Sequence, residues 1–236
     1  MDMSIVIGRR FAAVAAALVC VSVASIASAH FVWIDAEARD GKTVVKSGFG
    51  EPEGWDPDLV GKITQTKYWM KSGDELKPLD MKLDEKEQEI RATVDGPAPA
   101  VIVASTEYGV VQFGPNPASL LRYTAKRLGG APKSWKDKAT KSLRVELVAK
   151  ADGDSIALQA LFLGKPAAGA KIKATNPNGD EVEMTADDAG KATWKLAGPG
   201  KYGCYFGVTT PEEGAVGDKK YAALKDYTTL SFEIGK

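Results

Sequence analysis

The sequence predicts a mainly β protein: two β-sandwich domains with one short helix near the domain junction. Three observations carry that expectation. Short runs rich in Val, Ile, Thr and aromatic residues recur between Gly, Pro, Asp and Asn punctuation. Few windows sustain the 3.6-residue apolar period of a helix. Beyond residue 142, apolar and polar residues alternate in about seven short runs over roughly 90 residues, a density typical of sandwiches.

The first 29 residues form a unit of their own. Arg9 and Arg10 precede an apolar run, Phe11–Val23, followed by Ala24-Ser25-Ile26-Ala27-Ser28-Ala29. A charged start, a short apolar middle and an A-x-A site predict a secretory signal peptide, and the run is too short for a membrane span. Cleavage after Ala29 is expected to leave residues 30–236 as a periplasmic or secreted chain with no membrane span. A lipoprotein acylated at Cys20 is the weaker alternative, because Val19 is bulkier than the residue such processing prefers. The mature chain carries 29 basic and 30 acidic residues and one cysteine, Cys204. A single cysteine makes no internal disulfide, so stability must come from a core, which a chain of this length can bury.

The N-terminal domain is expected over residues 30–142. Its strands are His30–Ile34, Thr43–Phe49, Thr66–Met70, Glu89–Thr93 and Ala100–Thr106, runs rich in β-formers. Ser72-Gly73-Asp74 has turn composition, so Lys67–Met70 and Leu76–Leu79 read as a hairpin. After Pro115-Asn116-Pro117, residues Leu120, Leu121, Ala125 and Leu128 fall at helical spacing and Gly129-Gly130 supplies a stop. That pattern predicts a helix over Ala118–Leu128. Lys133–Lys141 holds four lysines and one Asp and reads as a solvated linker, with a basic partner-binding patch as the alternative.

The second domain is expected over residues 143–236. Leu143, Val145 and Leu147 share one face of a strand, as do Ile156, Leu158, Ala160 and Phe162 on the next. Asp152-Gly153-Asp154 separates them. Ala170–Thr175 resumes the sheet, and the Asn-Gly of Asn176-Pro177-Asn178-Gly179 predicts a hairpin because it tolerates the positive φ of a type I′ turn. Thr185–Gly190 is a further turn, and Ala192–Leu196, Tyr202–Val208 and Thr228–Ile234 complete the series. Cys204 shares a face with Tyr202 and Phe206, so it reads as a small buried hydrophobe rather than a thiolate metal ligand.

Composition narrows function mainly by exclusion. Lys+Arg and Asp+Glu are both 31, so no global positive field draws the chain onto nucleic acid. His30 is the one histidine, which removes mechanisms that need two imidazoles. No G-x-S-x-G elbow, P-loop, dinucleotide fingerprint, paired Cys or H-E-x-x-H signature occurs, so the chain is not expected to be an enzyme. The loop Gly48–Asp58 combines glycines, aromatic residues and four acidic side chains; it reads as a plain exposed loop, with a cation or ligand site as the alternative.

Several segments together resemble an exported bacterial family that carries a domain-of-unknown-function label and includes periplasmic proteins associated with nickel and cobalt uptake. They are Ala29-His30-Phe31-Val32-Trp33-Ile34, Glu107-Tyr108-Gly109-Val110, Leu120–Leu128, Gly164-Lys165-Pro166-Ala167-Ala168-Gly169-Ala170, Thr185–Gly190, Gly198–Tyr202 and Tyr227-Thr228-Thr229-Leu230. The C-terminal part also looks like the transthyretin-like or carboxypeptidase-regulatory type of sandwich, whose G-x-P-x-x-G-A and T-D-x-x-G motifs specify turns and therefore fold more than activity. The resemblance implies metal handling together with a metal-uptake transporter or another envelope protein as partner. Members of the family often carry His before the Tyr of the closing strand, where this chain has Asp226.

His30 is the one chemically pointed residue. A cut after Ala29 would give it a free α-amine, which with ring Nδ1 closes a six-membered chelate. Both nitrogens have proton affinities low enough for a late transition metal to compete near neutral pH, and nitrogen donors suit nickel, cobalt or copper as divalent ions. Two nitrogens alone make an open site, and the copper arrangement called a histidine brace needs a second His. Asp226 is the leading additional ligand through the family position, and Glu107, beside Tyr108-Gly109, is a weaker one. The bland alternative is that His30 merely begins a strand, in an envelope interaction module that binds protein or glycan without catalysis.

Overall fold

The computed structural model describes residues 30–72, 75–135, 139–140 and 142–235. The signal peptide expected over residues 1–29 lies outside them. From the N-terminus the strands are β1 (Phe31–Arg39), β2 (Lys42–Glu51), β3 (Gly54–Trp55), β4 (Lys67–Ser72), β5 (Glu75–Pro78), β6 (Lys82–Asp84), β7 (Glu89–Asp95), β8 (Val101–Val111) and β9 (Ser119–Leu128). The later part adds β10 (Val145–Asp152), β11 (Ser155–Phe162), β12 (Lys165–Pro166), β13 (Lys171–Thr175), β14 (Glu181–Thr185), β15 (Lys191–Lys195), β16 (Gly200–Val216) and β17 (Lys219–Ile234). The protein is mostly β, and helical structure among the described residues is confined to 3₁₀ turns at Pro57–Ile63 and Pro132–Ser134. No helix among these residues is long and apolar enough to cross a membrane.

The strands form three sheets. An eight-stranded sheet runs β14-β13-β16-β17-β9-β8-β4-β5; a second sheet runs β1-β2-β7-β6, with β3 on β2; a third joins β10, β11, β12 and β15. Alternation along β8 shows how they stack. Val101 and Val103 belong to one core with Leu147, Ile156, Leu158 and Trp194, whereas Ile102 and Ala104 belong to another with Val32, Ile34, Val45 and Phe49. Successive side chains of a strand point to opposite faces, so the large sheet is covered on one face by the β1–β2 sheet and on the other by the β10–β11 sheet. The expected boundary near residue 142 falls between β9 and β10, and the large sheet draws strands from both sides of it, with β9 and β17 paired in parallel.

The expected helix over Ala118–Leu128 is instead strand β9, antiparallel to β8 and parallel to β17. The physical reason is burial on both faces: every β9 residue but Arg122 is buried, so its apolar residues need not alternate. Leu120, Leu121, Ala125 and Leu128 imitate a helical stripe because all are buried although they point to opposite faces, Leu121 and Ala125 into one core and Leu128 into the other. Gly129 is no helix stop; a Cβ there would come within 2.5 Å of the Pro99 carbonyl oxygen.

Turn chemistry sets the hairpins. Asp40 and Gly41 take φ of 51° and 74° in the two-residue turn of the β1–β2 hairpin. The expected hairpin at Asn176–Gly179 joins β13 to β14, but through a longer turn. Asn176 Oδ1 accepts from the amides of Asn178 and Asp180, and of the Asn-Gly pair Gly179 alone has positive φ, so the turn is not type I′. Strands β4 and β5 pair antiparallel as the expected hairpin requires, and the expected turn at Gly73 and Asp74 lies outside the described residues. At the start of the linker expected over Lys133–Lys141, a 3₁₀ turn spans Pro132–Ser134 and Trp135 packs edge-on to Phe232, while residues 136–138 and 141 lie outside the described residues.

Candidate functional site

His30 stands immediately ahead of β1, and β1 is fastened to the large sheet. Thr229 Oγ1 donates to the Val32 carbonyl at 2.7 Å and Ser231 Oγ to the Ile34 carbonyl at 2.6 Å. The Asp40-Gly41 turn fixes the register, pairing Phe31 with Gly50. One step outward, that register brings His30 opposite Glu51.

The chain then doubles back after β2. Residues Gly54–Trp55 pair with Gly50–Glu51, and the Asp56 amide donates to the Phe49 carbonyl at 2.9 Å. This return needs glycine at two places, because a Cβ on Gly48 would lie 2.3 Å from the Trp55 ring and one on Gly50 would lie 2.7 Å from the Gly54 carbonyl oxygen. It delivers Asp56 to His30. The Asp56 side chain caps the turn at Pro57–Ile63, Oδ1 accepting from the Asp58 amide at 3.0 Å, while Oδ2 faces His30 Nε2 at 3.7 Å. The two side chains are 28% and 37% exposed, which leaves the pair within reach of a dissolved ion.

Beneath His30 lies an aromatic cluster. Its ring is 5.9 Å from that of Phe49, which stacks on Tyr108 at 5.3 Å and meets Tyr123 edge-on at 5.4 Å. Burial pushes the Tyr123 phenol well above its ordinary range, so that phenol stays protonated.

The structure does not bring Asp226 or Glu107 to His30. Asp226, Arg122 and Glu107 are register partners on β17, β9 and β8 and share one face of the large sheet. Tyr227 and Tyr123 point to the opposite face, where they meet Phe31 and the aromatic cluster under His30. Asp226 is 1% exposed and accepts from Arg122 Nε at 2.9 Å, Arg122 Nη2 at 3.3 Å and Arg144 Nε at 3.4 Å. Its lone pairs are directed at guanidinium groups. The Glu107 side chain is exposed, and its carbonyl accepts from Gln65 Nε2. Cys204 is fully buried in the core on the Asp226 side, and desolvation pushes its thiol up, as expected for a small hydrophobe.

Asp56 is the residue that sequence reasoning passed over, weighing it only as one acid in the Gly48–Asp58 loop. Two signals could have found it: Asp40-Gly41 marks the turn that sets residue 30 against the end of β2, and Asp56-Pro57 marks a cap where that segment returns. No group of three or more His, Cys, Asp or Glu side chains among the described residues is placed to hold a metal; at this site His30 stands beside the Asp56 carboxylate. No protein-family model and no curated protein matches the chain.

Proposed function

We propose that the mature protein, cut after Ala29, binds a divalent transition metal (nickel, cobalt or copper) at His30 as cargo, for uptake or handling in the cell envelope. One observation carries this reading: His30 Nε2 faces the Asp56 carboxylate while both side chains remain part-exposed. In metal-ligating histidines the second ring nitrogen commonly faces a carboxylate, which orients the ring and raises its basicity. Nδ1 is the nitrogen that chelates with the residue's own amine, so the two nitrogens have separate tasks. Two nitrogen donors with a nearby carboxylate give an open, exchangeable site, suited to handing an ion on to a transporter rather than to catalysis.

Calorimetry on protein beginning at His30 is expected to give stoichiometric binding of Ni(II), Co(II) or Cu(II). An Ala placed ahead of His30 removes the amine from the chelate and should weaken binding strongly. Asp56→Asn should cost roughly 10- to 100-fold, whereas Asp226→Asn should leave affinity unchanged. Equal affinity with and without the added Ala overturns the proposal.

A further inference from the structure

We propose that a second site, independent of the metal reading, binds a neutral oligosaccharide in the cleft that β1 and β2 line together with Arg127, Lys201 and Phe232 of the large sheet and the turns at Asn176–Pro177 and Pro199–Gly200. The cleft holds about 690 Å³, within the usual range of small-molecule sites.

Its aromatic platform is Trp55. The ring lies close against the bare backbone of Gly48, is half-buried, and lines the cleft. A ring supported on one side offers its other face to the C–H face of a sugar, and apolar contact of this kind is what aromatic side chains supply in wet sites.

Its floor is a chain of paired charges. Lys46 lies between Glu37 at 3.3 Å and Glu89 at 4.0 Å, Arg127 meets Asp35 at 3.4 Å, and Lys201 reaches across to Asp35 and to Glu37. Each cation has a carboxylate neighbour, and Glu53 adds a fourth acid to the lining. A polyanion would meet more carboxylates than cations. A polyol, which both donates and accepts, matches fixed carboxylate and ammonium groups that are already mutually neutralised. The far rim is stiff: Gly200, at φ 133°, packs so closely on Pro177 that a Cβ would come within 2.5 Å.

The test is titration of the mature protein with chitotriose, maltotriose and cellotriose, read by tryptophan fluorescence and calorimetry, with polygalacturonate as the anionic comparison. Saturable binding of at least one neutral trisaccharide is expected, about tenfold weaker in Trp55→Ala. Glu37→Gln, at a half-exposed position, should also weaken it and keeps the test valid if Trp55→Ala does not fold. No saturable binding of any of the three, binding of polygalacturonate alone, or affinity untouched by these substitutions overturns the proposal.

Discussion

Asp35 shows how one side chain can join parts of the chain that are distant in sequence. It sits on β1, accepts from the Ala36 amide at 2.7 Å, and meets Arg127 of β9 and Lys201 of β16. Burial alone would raise its pKa; the Lys201 contact and the charges of Lys201 and Arg127 together outweigh that and hold it below the ordinary carboxylate value. A carboxylate whose folded pKa is depressed stabilises the fold fully above its unfolded pKa of about 3.9, and that contribution is lost as pH falls through the folded value. Urea denaturation at stepped pH should therefore show Asp35→Asn less stable by about 1–3 kcal/mol near neutrality, with the difference from the parent shrinking toward pH 2. A constant difference across that range would count against the assignment. Asp226 makes the contrasting point: its position in the family resemblance suggested a ligand, but two guanidinium groups make it a structural counter-ion.

At the scale of elements, β9 is decisive. It lies between β8 and β17, and its two faces feed different cores, so its charged residues must be neutralised where they are buried. Lys126, 1% exposed, meets Glu146 of β10 at 2.5 Å, and Glu146 also accepts from the Thr140 amide at 2.7 Å. Breaking such a pair strands a charge in the core. Lys126→Met is expected to lose about 3–5 kcal/mol in chemical denaturation. Adding Glu146→Gln should recover part of that loss, since the amide is neutral and still accepts from Thr140. If the double variant is no more stable than the single one, the cost lies in packing rather than in the buried charge.

For the whole molecule, the consequence is cooperativity. The large sheet contains strands from before and after residue 142, β17 runs beside β9 over Ala223–Phe232, and Asp35–Arg127 and Lys126–Glu146 tie the outer sheets to it. Unfolding should then be a single transition by circular dichroism and fluorescence alike. Cys204 provides an independent reporter, because its thiol is fully buried and held protonated. Its reaction with a disulfide reagent should follow the same denaturation curve. Two separated transitions, or thiol reaction well ahead of the spectroscopic change, would show that the halves unfold independently.

The sequence by itself determined what depends on neighbours along the chain. Alternation marked most of the strands, and the Asn-Gly and Thr-Ala-Asp-Asp-Ala-Gly stretches marked turns, because backbone φ preferences and short side-chain hydrogen bonds act within a few residues. It also singled out His30. Tertiary structure decided which faces are buried and which side chains meet. Burial on both sides removed the alternation that would have revealed β9, sheet pairing turned Asp226 away from His30 toward two arginines, and the return of the chain after β2 brought Asp56 in. Those outcomes depend on contacts between residues tens to hundreds of positions apart, and no local periodicity encodes them.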